Sequence, residues 1–228
     1  MYNNYRNHTR PTTIVQEGSG PTPMPKKRRD WEDAILKFAR NDASSVFTKL
    51  SFNTLSIPPL KFNLDTSRAA TNIKDDGTVE DIVFASDWAK KQSLEVVVQV
   101  FFMELGNVRN AIALKALDKP LRANQKAWRK LDDDAQMVKA RAYARSLEAI
   151  EWSHLKQLLP AIDSAEVFAS TRTDLFKTRP TTFEAYNEIQ LKNNHSQGYM
   201  LEWFSIVGAI VPKELEEEID ANERRMRS

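Results

Sequence analysis

Residues 93–105 read SLEVVVQVFFMEL, and this stretch decides the fold class. Val96, Val97, Val98, Val100, Phe101, Phe102 and Met103 wound as a helix would face almost every direction around its axis. A helix that is apolar nearly all round belongs at the centre of a bundle. Ser93 stands where a helix cap is wanted. Val108, Ile112 and Leu114 carry the pattern past Gly106-Asn107, where a bend is expected. Gln99 and Glu104 interrupt the run, which is in any case short of the roughly 20 apolar residues that span a bilayer.

Working outward, the helical period recurs on both sides. Thr78 with Asp81 reads as a capping box, placing Val79, Ile82, Val83 and Trp88 on the inner face of a helix. Further upstream, Asp30 reads as an N-cap for a helix to about Arg40, with Trp31, Ile35, Phe38 and Ala39 as its apolar stripe, and a second short helix covers 43–50. Between them, Pro58-Pro59 forbids a helix and Leu60, Phe62 and Leu64 alternate with polar residues. An extended segment near 51–70 is expected there, closed by the loop Lys74-Asp75-Asp76-Gly77.

Downstream, Pro120 breaks the pattern and a basic helix follows to Leu131. Asp132 to Asp134 give an acidic start to a long helix with Met137, Val138, Tyr143, Leu147, Ile150, Leu155 and Leu158 inward, ended by Pro160. Val167 and Phe168 fall in a short helix. Thr181 and Glu184 read as a second capping box, 193–198 as a loop, and Tyr199 to Val211 as an apolar helix. After Pro212 a charged helix runs from Glu214 to Arg227, acidic first and basic last, the order its dipole favours. The expected architecture is mainly α: a disordered basic arm over 1–29, a single helical-bundle core over 30–211 with room for two lobes, and a charged C-terminal helix or arm over 212–228.

Composition narrows the chemistry. Six glycines in 228 residues suit helices better than a turn-rich β fold. The absence of cysteine removes disulfides, thiolate nucleophiles and thiolate metal sites. Met1 to Arg10 lack the apolar core of a signal peptide, so a soluble protein is expected. His8, His154 and His195 lie in separate segments with no metal-ligand spacing, and no phosphate-cradling glycine loop or nucleophile elbow occurs. No catalytic residue, metal, cofactor or small-molecule substrate is expected, and the chain reads as a non-enzyme.

The informative feature is how charge is distributed. The net charge is only +2, yet Lys26, Lys27, Arg28 and Arg29 cluster in the arm. Ten more cations crowd residues 109–145 against Asp118, Asp132, Asp133 and Asp134. Lys115, Lys119, Arg122, Lys126 and Arg129 step by three or four residues, the spacing of one helical face. Phosphates attract such cations, and unpaired bases stack on aromatic rings. The candidate RNA contacts are Arg109, Lys115, Arg122, Lys126, Arg129, Lys130, Arg141 and Arg145, with Tyr143 or Trp128 as stacking partners. The competing bland reading makes the same charges a solvated face and Trp128 core.

A polar basic arm, a cysteine-free helical core with a basic middle and a charged C-terminal helix together resemble the coat or nucleocapsid proteins of filamentous plant RNA viruses. The resemblance lies in the overall plan. Phe183-Glu184-Ala185-Tyr186 departs at two positions from the Phe-Asp-Phe-like segment usual in flexible-filament coat proteins. It implies a capsid protein that holds single-stranded RNA in a basic groove, self-assembles through its arms into a filament or ring, and resides in the virion and host cytoplasm. The alternative is a cellular interaction or nuclear adaptor module with Lys26 to Arg29 as its import signal.

Overall fold

The computed structural model describes residues 21–63, 68–171 and 177–227. The expectations for the arm over 1–20 and for Leu64 lie outside the described residues. The fold is mainly helical, as the periodicity predicts. Among the described residues the helices are α1 (Trp31–Asn41), α2 (Ser44–Lys49), α3 (Ser86–Ala89), α4 (Leu94–Ala116), α5 (Asp118–Ala123), α6 (Gln125–Trp128), α7 (Asp133–Ser164), α8 (Phe183–Lys192), α9 (His195–Val207) and α10 (Lys213–Arg227).

The helix α4 is the central one, as its all-round apolarity requires. Val97, Val98, Phe101, Phe102 and Leu105 are fully buried. It continues without interruption through Gly106, where the absent side chain lets His154 of α7 pack close: a Cβ there would sit 2.0 Å from His154 Cδ2. Buried apolar side chains gather in two clusters. One joins α1, α2, α4, the sheet and the C-terminal half of α7, with Phe102 in ring contact with Phe47, Phe52 and Phe168. The other joins the N-terminal half of α7 to α5, α9 and α10 through Leu121, Met137, Tyr143, Trp203, Phe204 and Leu215.

Several local expectations are corrected. Residues 79–85 form a strand, not a helix. A three-stranded sheet has the order β1 (Leu60–Asn63), β3 (Val79–Ala85), β2 (Ala69–Ile73), with β1 parallel and β2 antiparallel to β3. Gly77, at φ +85°, closes the β2–β3 hairpin, and the Asp76 carboxylate accepts from the Thr78 amide. Asp-Gly before a β-branched run is a hairpin signal, and here it outweighs the capping box that Thr78 and Asp81 mimic. Asp81 is instead buried in the sheet, accepting from Asn72 and paired with Lys61.

The prolines also behave differently. Pro120 lies in the first turn of α5, where no intrahelical N–H bond is lost. Pro160 sits inside α7, four residues before its end and exposed, so the helix continues to Ser164. The capping residue of α8 is Thr182, whose hydroxyl accepts from the Ala185 amide, one residue later than expected. Val138, expected on the inner face of α7, is 62% exposed. Residues 21–25, expected to belong to the arm, are tied to the core, while 26–29 are exposed. Met24 is buried, Pro23 bridges to Ser93, the Thr22 amide donates to Glu95, and the Trp31 indole donates to the Pro25 carbonyl.

Candidate functional site

The cations named from sequence do not converge on one groove. Arg109 lies over the Phe52 ring and donates to the Leu50 carbonyl. Lys115 is paired with Asp118 at 3.1 Å and Glu202 at 3.6 Å. Arg122 meets Asp75 at 2.8 Å and Asp118 at 3.9 Å. Arg129 donates through Nε to the Val207 carbonyl and covers Gly208, at φ +67°, so it caps the C-terminus of α9. Arg141 pairs with Glu214 and Glu218, fastening α10 to α7, and Arg145 reaches Glu184 and lies over Phe183 on α8.

Six of the eight cations named as RNA contacts are therefore engaged within the fold. Tyr143 is unsuited to stacking on a base. It is buried, its hydroxyl donates to Asp118 at 2.8 Å, and burial with the charge of Glu202 pushes its pKa far up. Trp128 is half-buried, edge-on to Trp203, with Lys139 over its ring. Lys126 and Lys130 remain exposed, and so does Lys119, which the stripe includes; none forms a salt bridge among the described residues. Lys26, Lys27 and Arg28 are likewise exposed, while Arg29 touches Asp30 at 3.5 Å.

One concavity, which Lys115 and Tyr143 help to line, is mainly acidic. Between β2, α4, α7 and α9 lies a cavity of about 240 Å³ whose lining includes Glu104, Asp118, Tyr143, Glu151, His195 and Tyr199. Glu148 and Glu151 stand three residues apart on one face of α7, and His195 opens α9 opposite them. Residues 193–198 were expected to be a loop. Asn194 takes the left-handed conformation at φ 60°, and its amide and that of Asn222 tie this turn to α10 and α8. The helix starts immediately afterwards and passes through Gly198, which faces open space.

His195 Nδ1 lies 3.0 Å from Glu148 Oε1 and 3.9 Å from Glu151 Oε2. Ser196 donates to Glu148 Oε1 at 2.8 Å. Tyr199 and Tyr186 donate to the two oxygens of Glu151. Across the cavity, Thr71 and Asn107 donate to Glu104 Oε2 at 2.7 and 3.2 Å. Each carboxylate is thus oriented by a hydroxyl or amide donor.

Electrostatics follow from this crowding. Burial raises the pKa of Glu151 against the attraction of His195, and burial raises Glu104 against the hydrogen bonds from Thr71 and Asn107. Burial also opposes charge on His195, but Glu151 and Glu148 outweigh it and lift its pKa to about 9. The side chain is 42% exposed, so solvent reaches part of it while the two carboxylates face Nδ1. His154 shows the opposite case. Burial depresses it to about 4, and its Nε2 bonds the Phe102 carbonyl at 2.9 Å.

Sequence spacing does not display this site, because its members come from separate helices and 193–198 has the composition of a loop. The available signal was the Glu148, Glu151 pair at one-face spacing inside an otherwise apolar stripe. Comparison with known proteins finds no matching family model, no matching curated protein and no matching solved structure. Among the described residues no helix is long and apolar enough to cross a membrane.

Proposed function

We propose that the chain is a structural protein that binds single-stranded RNA through the cations its own fold leaves on the surface. Of the cations singled out by the charge pattern, these are Lys26, Lys27 and Arg28 ahead of α1, and Lys119, Lys126 and Lys130 on or just after α5 and α6. The observation that carries this reading is the division of those singled-out basic residues into two sets. Arg109, Lys115, Arg122, Arg129, Arg141 and Arg145 are engaged within the chain, whereas these six face solvent without a salt bridge among the described residues.

The 26–28 tract is also fixed in place, because burial of Met24 and the Trp31–Pro25 bond anchor both of its ends. Fixed, solvated cations lose little side-chain freedom beyond their own rotamers when a phosphate binds. The acidic cavity would repel a polyanion and takes no part. Packaging of RNA by many copies, into a filament or ring, is what the resemblance to filamentous-virus coat proteins adds.

Filter binding of a single-stranded RNA against salt tests the proposal. With all six cations engaged, the slope of log affinity against log salt should be about −4, at roughly 0.7 per phosphate. Replacing Lys119, Lys126 and Lys130 together by Glu should weaken binding at least about tenfold while leaving the circular dichroism unchanged. The same reversal at Lys90 and Lys91, also exposed, should cost much less. Equal losses from the two sets, or no salt-dependent affinity, would overturn the proposal. Binding of an import receptor without RNA affinity would favour the nuclear-adaptor alternative.

A further inference from the structure

We propose that Glu148, Glu151 and His195 form a binding site for a divalent transition-metal ion, independent of the RNA-binding surface. One ligand atom from each lies within 4.8 Å of the others, close enough for a single ion to touch all three. Carboxylate oxygen with imidazole nitrogen is a donor set that suits zinc, manganese or ferrous iron better than magnesium or calcium, which take oxygen alone.

A second observation points the same way. Glu148 is fully buried, and although its Oε1 accepts from Ser196 and contacts His195, its Oε2 has no hydrogen-bond partner. Leaving a buried carboxylate oxygen unsatisfied is costly, and coordination would satisfy it. The surroundings are those of a supported ligand set. Ser196 fixes Glu148, while Tyr186 and Tyr199 fix Glu151 from both sides. Such outer contacts set the direction and basicity of ligands.

The cavity supplies the remainder. Glu151 and His195 line its wall, so an ion held there keeps open positions toward a space of about 240 Å³, enough for water ligands. Glu104, held by Thr71 and Asn107, lines the same space and adds a carboxylate that can receive a hydrogen bond from such a water. The 42% exposure of the His195 side chain gives an entry path.

The test uses the full chain, stripped with EDTA and titrated calorimetrically with zinc chloride, manganese chloride and magnesium chloride in turn. Saturable uptake of a single zinc or manganese ion, with a raised melting temperature and weaker uptake of magnesium, is the expected result. His195→Gln and Glu148→Gln should each reduce the affinity at least about tenfold with the circular dichroism unchanged. Should Glu148→Gln fail to fold, His195→Gln, at a partly exposed position, decides the matter by itself. No saturable uptake of zinc or manganese, or uptake that His195→Gln leaves as tight as before, would overturn the proposal.

Discussion

The exposed faces of α5, α6 and α7 and the acidic cavity use charged side chains to opposite ends. On the surface, Arg122, Arg141 and Arg145 meet acidic partners whose side chains are more than half exposed. Water competes for both members of each pair there, so the pairs steer helices together more than they stabilise them. In the cavity, Glu148 and Glu151 are buried and held by hydroxyls and an imidazole. A charge there depends on those partners, because little solvent replaces them. The contrast teaches that a dense run of cations in sequence is weak evidence for a binding face, while a few isolated acids can mark a built site.

Removing Glu148 is the sharpest way to break the comparison. Glu148→Ala should lower stability by about 3 kcal/mol, the lower end for a buried ion pair because the His195 side chain is partly exposed. Chemical denaturation measures it. A loss no larger than that of a surface pair would mean that the cavity is as well hydrated as the exterior.

The next effect is the pH response of a buried base without a charged partner. His154 has its folded pKa depressed to about 4, below the ordinary 6.5. Above pH 6.5 it is neutral in both states and contributes no slope. As pH falls from 6.5 toward 4 the unfolded chain takes up a proton that the folded chain refuses, so stability should fall at up to about 1.4 kcal/mol per pH unit. An NMR titration in which the His154 ring stays neutral at pH 5 would bear this out, and a midpoint near 6.5 would refute it.

The smallest effect belongs to the surface. Arg141→Ala, which loses contacts to Glu214 at 2.9 Å and Glu218 at 3.6 Å, should cost no more than about 1 kcal/mol. The same denaturation measurement checks it. A cost matching that of Glu148→Ala would erase the distinction between the two regions.

The run 93–105 determined that α4 is central, because side chains apolar on every face leave a helix no solvent-facing side. Asp132 determined the start of α7, where its carboxylate accepts from the Ala135 amide. Both are local consequences of residue type and helical spacing. The sequence also carried the Asp-Gly signal for the β2–β3 hairpin, but a capping-box pattern of the same residue types competes with it. Only pairing with β1 and β2 decides in favour of the strand. Pro160 shows a similar limit, since a proline near a helix end forfeits one bond that packing of Leu158, Ala161 and Ile162 offsets. The partners of Arg109, Arg129 and Arg145, and the meeting of Glu148, Glu151 and His195, were decided by the tertiary structure alone. They depend on how the helices cross, and a contact between residues some 40 to 80 positions apart leaves no period in the chain for a sequence to display.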